Sequence, residues 1–170
     1  AAAAMDDSTI RTAVAAWVDD ATAAEATYGH ISTWETSEVT DMSKLFCGDN
    51  NAGCPAPLAR YFNDDISAWN TSGVTAMNNM FREASAFDQD IGDWAVHSVT
   101  SMSMMFYYAS RFNQDLGWCV NDGVDLGGGF YGAFTGTPCE STSCGVAQGT
   151  LDANGVAVCP KKKEKEESSV

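Results

Sequence analysis

Basic residues are scarce in this chain. Its 170 residues include 9 Lys and Arg against 23 Asp and Glu, which gives a formal net charge of −14 at pH 7. Four of the nine cations lie in the segment KKKEKEE near the C-terminus, so residues 1 to 160 carry five cations against twenty acids. A surface this acidic repels phosphate backbones and anionic lipid. The composition therefore argues against a nucleic-acid partner and against electrostatic docking on a membrane.

Long apolar runs are also absent. No stretch approaches the roughly 20 residues that a membrane-spanning helix needs, so we expect no direct membrane span. The hydrophobic content of 45% nevertheless predicts a chain with a packed core. The sequence begins AAAAMDD, without Met at position 1, and we expect an upstream segment to have been removed.

Motifs for catalysis and for metal binding are missing from the sequence. His97 has no nucleophile motif beside it, and LGGGF at residues 126 to 130 lacks the Lys and Ser or Thr of a phosphate-binding loop. Acidic residues recur at the start of each internal repeat of the sequence. We expect them to form turns rather than a calcium site. These acids are Asp64, Asp65, Asp88, Asp90 and Asp115. We therefore expect a non-enzymatic protein with no catalytic, cofactor or metal site.

Six cysteines point to disulfide bonds. They are Cys47, Cys54, Cys119, Cys139, Cys144 and Cys159, and most lie among Gly, Ser, Pro and Asn. Zinc is the competing interpretation, but the sequence has no C-x2-C pair and only two histidines. Six cysteines allow about 15 pairings; loop proximity favours Cys47 with Cys54 and Cys139 with Cys144, which leaves Cys119 with Cys159. We expect a secreted or cell-surface location or an organelle lumen, with the thylakoid lumen as one candidate.

A repeat of 25 residues occupies the middle of the chain. The stretch FNDDISAWNTSGVTAMNNMF begins at Phe62 and recurs as FDQDIGDWAVHSVTSMSMMF from Phe87. An earlier copy, ISTWETSEVTDMSKLF, begins at Ile31, and a degenerate one follows Phe112. Val, Thr and Trp in each copy favour a short strand, and Met-x-x-Met-Phe favours a short helix. The pattern predicts an α/β repeat, a short leucine-rich-repeat-like solenoid of about four strand-plus-short-helix coils.

The segments on either side of the repeats predict caps. Apolar spacing from Ser8 to Tyr28 predicts one helix, and VAQGTLDANGVAV predicts two short strands around a DANG turn. The predicted organisation is an N-terminal capping helix in residues 1–30 and a repeat solenoid in residues 31–134, with a Cys-bearing insert at 47–58. A disulfide-rich C-terminal cap follows in residues 135–160, and a charged tail in residues 161–170.

The repeats resemble those of BspA-type leucine-rich-repeat surface proteins, known as domain of unknown function 285. The consensus F-N-Q-D-I-S-x-W-D-T-S-N-V-T-D-M-S-x-M-F-x-x-A is similar to FNDDISAWNTSGVTAMNNMFREA, and the resemblance covers roughly residues 31 to 134. It implies a curved solenoid used for binding or display, without known catalysis. Such repeats occur in bacterial surface lipoproteins and in proteins of microalgae and other protists. The Cys-rich ends of this chain resemble those of algal members.

Functional contacts are expected where the copies differ from one another. Tyr107, Tyr108, Arg82 and Asn70 are such positions and are the candidate partner contacts. Asn70 also begins NTS, a glycosylation sequon. We expect an interaction or structural protein that binds a protein or glycan partner. The alternatives are an accessory scaffold subunit of a large membrane-associated assembly, such as an algal photosystem supercomplex, and a hydrolase on the repeat scaffold, which no residue constellation supports.

Overall fold

The computed structural model describes residues 3–50 and 53–160. The tail predicted for residues 161–170 lies outside the described residues, as do residues 51 and 52 of the insert. Two α-helices come first, α1 (Thr9–Asp19) and α2 (Ala21–Tyr28), and three strands come last, β1 (Cys119–Asn121), β2 (Ala147–Leu151) and β3 (Ala157–Val158). Short 3₁₀ helices lie at Ile31–Thr33, Pro57–Tyr61, Gly129–Tyr131 and Glu140–Gly145.

The single helix predicted from Ser8 to Tyr28 is wrong, because Asp20 divides it into α1 and α2. Asp20 has an extended backbone, and its carboxylate accepts a hydrogen bond from the N–H of Ala23. Aspartate is a preferred N-cap, so it starts a new helix in place of continuing the old one. Helix α1 buries one face, which consists of Ile10, Ala13, Val14 and Trp17.

The predicted solenoid of about four strand-plus-short-helix coils is also wrong. Among the described residues between α2 and β1, regular structure is limited to two short 3₁₀ helices, and the rest are turns and single bridges. The expected short helices fail at Lys44, Asn79 and Met104, whose φ angles are 60°, 57° and 54°. A left-handed residue in the middle of Met-x-x-Met-Phe interrupts helical hydrogen bonding. The regular elements are therefore the N-terminal helices and a small C-terminal sheet.

The repeat copies contact one another through isolated parallel bridges. One row joins Asp41 to Ala76, Ala76 to Ser101 and Ser101 to Asp125. Inside, phenyl rings stack between copies, with centroid distances of 6.0 Å for Phe62–Phe87 and 5.9 Å for Phe87–Phe112. A second set of rings follows the same order, and all are buried: Phe46, Phe81, Phe106 and Phe134. The apolar residues that recur in the sequence thus form one core.

The C-terminal segment forms a mixed three-stranded sheet. Strand β1 pairs parallel with β2, and β2 pairs antiparallel with β3 across the predicted DANG turn. Within this turn the Asp152 carboxylate accepts from the N–H groups of Asn154 and Val156. The six cysteines form three disulfide bonds, which are Cys47–Cys54, Cys119–Cys159 and Cys139–Cys144. The bond between Cys119 and Cys159 ties β1 to the chain after β3.

Candidate binding site

An open groove of about 590 Å³ lies beside the second and third repeat copies. Its walls come from three stretches of chain, because copies 25 residues apart in sequence lie next to each other. The lining residues are Arg60, Arg82, Glu83, Ser85, Tyr107, Tyr108 and Ser110. Three of the four predicted partner contacts are among them.

Arg82 is fixed in place on one side of the groove. Its guanidinium forms an ion pair with Asp49, at 2.8 Å from Nη2 to Oδ2, and Nε donates to the same oxygen at 3.0 Å. The Asp49 side chain is only 8% exposed, so water screens this pair less than a surface pair. The guanidinium also lies 5.2 Å from the ring centroid of Tyr107, which places a cation over an aromatic face. Arg82 therefore orients Tyr107.

Tyr107 and Tyr108 present two rings at different angles. Their centroids are 4.7 Å apart and their planes are inclined by 69°. Tyr108 has φ 54°, and its N–H donates to the carbonyl of Thr135 at 2.8 Å, so this hydrogen bond holds a left-handed backbone in place. Gly136 has φ 79°, and a Cβ there would lie 3.0 Å from the Tyr108 ring, so a larger residue would have to displace the ring by a few tenths of an ångström. Tyr108 remains 53% exposed and can contact a partner.

Arg60 forms the far side of the groove and belongs to the 3₁₀ helix at Pro57–Tyr61. Its guanidinium donates to the carbonyl of Gly48 at 2.9 Å. The backbone carbonyl of Arg60 accepts from the N–H of Ala86 and from the hydroxyl of Ser85. The segment that follows the Cys-bearing insert thus forms one wall of the site.

Asn70, the fourth predicted contact, is not part of the groove. It is exposed in the turn that follows Trp69, and its carbonyl accepts from the hydroxyl of the buried Thr36. The structure therefore brings together Arg82, Tyr107 and Tyr108 and leaves Asn70 elsewhere on the surface.

The repeats and the groove lie within a match to a known protein family. Residues 17–137 match the model of the family described as "Mycoplasma protein of unknown function, DUF285". The chain belongs to the DUF285 family. No curated protein and no solved structure matched it. Every residue that lines the groove lies inside the DUF285 match.

The acidic residues of the DUF285 copies form turns and links between copies. Asp65 accepts from the N–H of Ser67, and Asp90 accepts from the N–H of Gly92. The side-chain and backbone donors of Ser67 lower the pKa of Asp65. Asp88 accepts from the N–H of Asn113 in the next copy. Across residues 3–50 and 53–160, no group of three or more His, Cys, Asp or Glu residues is placed to hold a metal ion.

The sequence alone did not predict a second exposed surface, which carries Phe130 and Tyr131. The segment LGGGF begins a projecting loop in which Phe130 is 85% and Tyr131 63% exposed. The spacing contained the signal, because Leu126 and Phe134 are eight residues apart whereas Met102 and Phe106 are four apart. The extra residues protrude from the turn.

None of the described helices is long and apolar enough to cross a lipid bilayer.

Proposed function

We propose that this DUF285 protein is a non-enzymatic binding protein that holds a protein partner in the groove of Arg82, Tyr107 and Tyr108. The observation that carries the proposal is the exposed Tyr108 beside the fixed pair of Arg82 and Tyr107. Tyrosine and arginine are enriched among the residues that dominate binding energy at protein interfaces. A preorganised side chain also loses little conformational freedom on binding.

We further propose that the protein acts outside the cytosol, at a cell surface or in an organelle lumen. Three disulfide bonds support this location, because thiols stay reduced in the cytosol. The resemblance of the repeats to BspA-type surface proteins supports it as well. The acidic composition favours a protein partner over nucleic acid.

A capture experiment with matched variants tests the groove. The chain is immobilised and exposed to a cell-surface or lumenal extract, and the dissociation constant is then measured with the purified captured protein. Tyr108→Ala should weaken binding about 30-fold, which corresponds to a loss of about 2 kcal/mol for a central interface residue. Phe130→Ala removes a more exposed ring outside the groove and should leave the dissociation constant unchanged.

Other outcomes would assign a different function. Equal binding by wild type and Tyr108→Ala would contradict the groove, and selective binding to a glycan array would replace the protein partner by a glycan. Co-migration with a large membrane assembly in native electrophoresis would favour an accessory scaffold subunit. Turnover of ester, glycoside or phosphate substrates by the purified protein would overturn the non-enzymatic assignment.

A further inference from the structure

We propose that Asn70 is an acceptor site for an N-linked glycan, an inference that rests on the extracytosolic location proposed above. Asn70, Thr71 and Ser72 are the sequence's one Asn-x-Ser/Thr tripeptide, and its middle residue is not proline. This is the pattern that N-glycosylation requires. The structure adds the exposure and the hydrogen bonding of these three residues.

The middle residue anchors the tripeptide while the outer two face solvent. Thr71 is 1% exposed, and its hydroxyl donates to the carbonyl of Ala95 in the next copy at 3.0 Å. Asn70 and Ser72 are both exposed. The acceptor side chain is therefore held at the surface by a buried neighbour.

Hydrogen bonding fixes which atom of the Asn70 amide is free. The N–H of Ser72 lies 3.1 Å from Oδ1 and the Ser72 hydroxyl lies 2.7 Å from it. A backbone N–H can only donate, so the amide atom that faces it must be the oxygen. Nδ2, the atom that would carry the glycan, has no hydrogen-bond partner among the described residues. The hydroxyl that the pattern requires is thus bound to the acceptor amide.

The modification joins Asn70 to an oligosaccharide carried on a lipid diphosphate. Nδ2 forms a bond to the first sugar carbon, and the bond from that carbon to the diphosphate oxygen breaks. The lipid diphosphate leaves with the electron pair, and one proton of Nδ2 is transferred to a base. No oxidation or reduction takes place.

Asn70 is not among the groove residues, so a glycan there would not modify the groove lining itself. The neighbouring copy already has a charged side chain at the equivalent position. Glu35 accepts from the N–H of Ser37 at 3.1 Å, just as Asn70 accepts from Ser72. This provides a matched control, since Asn70→Asp can keep the turn while lacking the nitrogen that is glycosylated.

The test is secretion of the full chain from a eukaryotic host that makes N-linked glycans. Intact mass and peptide mapping are measured before and after treatment with a peptide N-glycosidase, which converts a glycosylated asparagine to aspartate. Wild type and Ser72→Thr should carry a glycan that the enzyme removes. Asn70→Asp and Ser72→Ala should lose the mass shift completely.

The proposal would be overturned if secreted, disulfide-bonded wild type carried an unmodified Asn70, or if Asn70→Asp kept its glycan. Because the host provides the location, this result does not depend on where the protein normally acts. Groove binding is tested separately with Tyr108→Ala, so either proposal can fail while the other stands. Asn70→Asp should bind the captured partner as wild type does.

Discussion

Asp7 links the N-terminal segment to the first repeat copy through three hydrogen bonds. Its carboxylate accepts from the N–H of Thr40 at 2.7 Å, from the Thr40 hydroxyl at 2.7 Å and from the N–H of Asp41 at 2.9 Å. Partial burial by itself would raise the pKa of Asp7, but these donors and the charge of Arg11 outweigh it. The pKa therefore lies below its usual value of 3.8.

Asp7→Ala should lower the free energy of unfolding by about 1 to 3 kcal/mol at neutral pH, because hydrogen bonds to a charged group are lost. A lowered pKa in the folded state gives stability that is present above the unfolded value and is lost as pH falls through the folded value. The difference between wild type and variant should therefore begin to shrink near the usual value of 3.8 and reach its minimum only below the lower pKa of the folded state. Urea unfolding as a function of pH measures it.

Glu38→Ala is the control for this prediction. It removes one negative charge from an exposed side chain near Thr40 in sequence, and it should change stability by no more than about 0.5 kcal/mol. Equal losses for the two variants would show that Asp7 acts only through net charge, whereas a difference that persists in acid would show that its contribution does not depend on the charge of the carboxylate.

The loop that carries Phe130 depends on the backbone conformation of Gly127. Gly127 has φ 68°, and a Cβ there would collide with the carbonyl oxygen of Tyr131. Its N–H donates to the Asp125 carboxylate at 2.8 Å. Gly128 has an extended backbone, with φ −148° and ψ 155°, and open space around it. The two neighbouring glycines therefore differ in what they tolerate.

Gly127→Ala should destabilise the protein by about 1 to 3 kcal/mol, because a side chain must fit a strained backbone and a blocked position. Gly128→Ala should be neutral or stabilising by up to about 1 kcal/mol, since it only restricts the unfolded chain. Thermal unfolding and amide exchange of residues 126 to 133 measure both effects. Similar losses for both variants would contradict the conformation described for this loop.

The repeat spacing predicted the core but not the backbone that carries it. Phe62, Ile66, Trp69 and Val74 are buried as their recurrence suggests. The same inward pattern arises from turns as well as from strands and helices, so periodicity could not distinguish them. Residues with left-handed backbone angles make these segments turns and not helices. Lys44 and Met104 are two of them, although lysine and methionine rarely adopt such angles. Nothing in their sequence marks them.

The groove was predictable only in part. Tyr107, Tyr108 and Arg82 stood out because they vary between otherwise similar copies. Arg60 could not be assigned to the same site, since it follows the Cys-bearing insert and its position depends on hydrogen bonds to Gly48 and Ala86. These contacts join segments that are distant in sequence, so the repeat spacing does not predict them.

The disulfide bonds differ in how much chain they restrain. Cys119 and Cys159 are 40 residues apart, whereas Cys139 and Cys144 are 5 apart. On the chain-entropy model, the long loop contributes about 4 kcal/mol and the short loop about 2 kcal/mol. Replacing Cys119 and Cys159 by Ala should therefore destabilise the protein more than replacing Cys139 and Cys144 by Ala.

Urea unfolding of the two oxidised double variants measures the difference. The mass of each variant before and after reduction provides the control, since every remaining bridge gains two hydrogens on reduction and both variants should retain two bridges. A larger loss for the Cys139 and Cys144 variant would show that packing around these buried sulfurs outweighs chain restraint.

The tryptophans run through the copies in register. The rings of Trp34 and Trp69 are 6.0 Å apart and those of Trp69 and Trp94 are 6.4 Å apart, with interplanar angles of 18° and 1°. The indole N–H groups of Trp69 and Trp94 donate to the carbonyls of Ile31 and Ile66 in the preceding copies. Because aromatic rings this close interact electronically, the near-ultraviolet circular dichroism spectrum should depend on the alignment between copies as well as on the environment of each ring. A slip between copies would change that spectrum before any indole met water, whereas emission wavelength would change only afterwards. The stacked tryptophans thus make the alignment of the repeat copies measurable by circular dichroism without an added label.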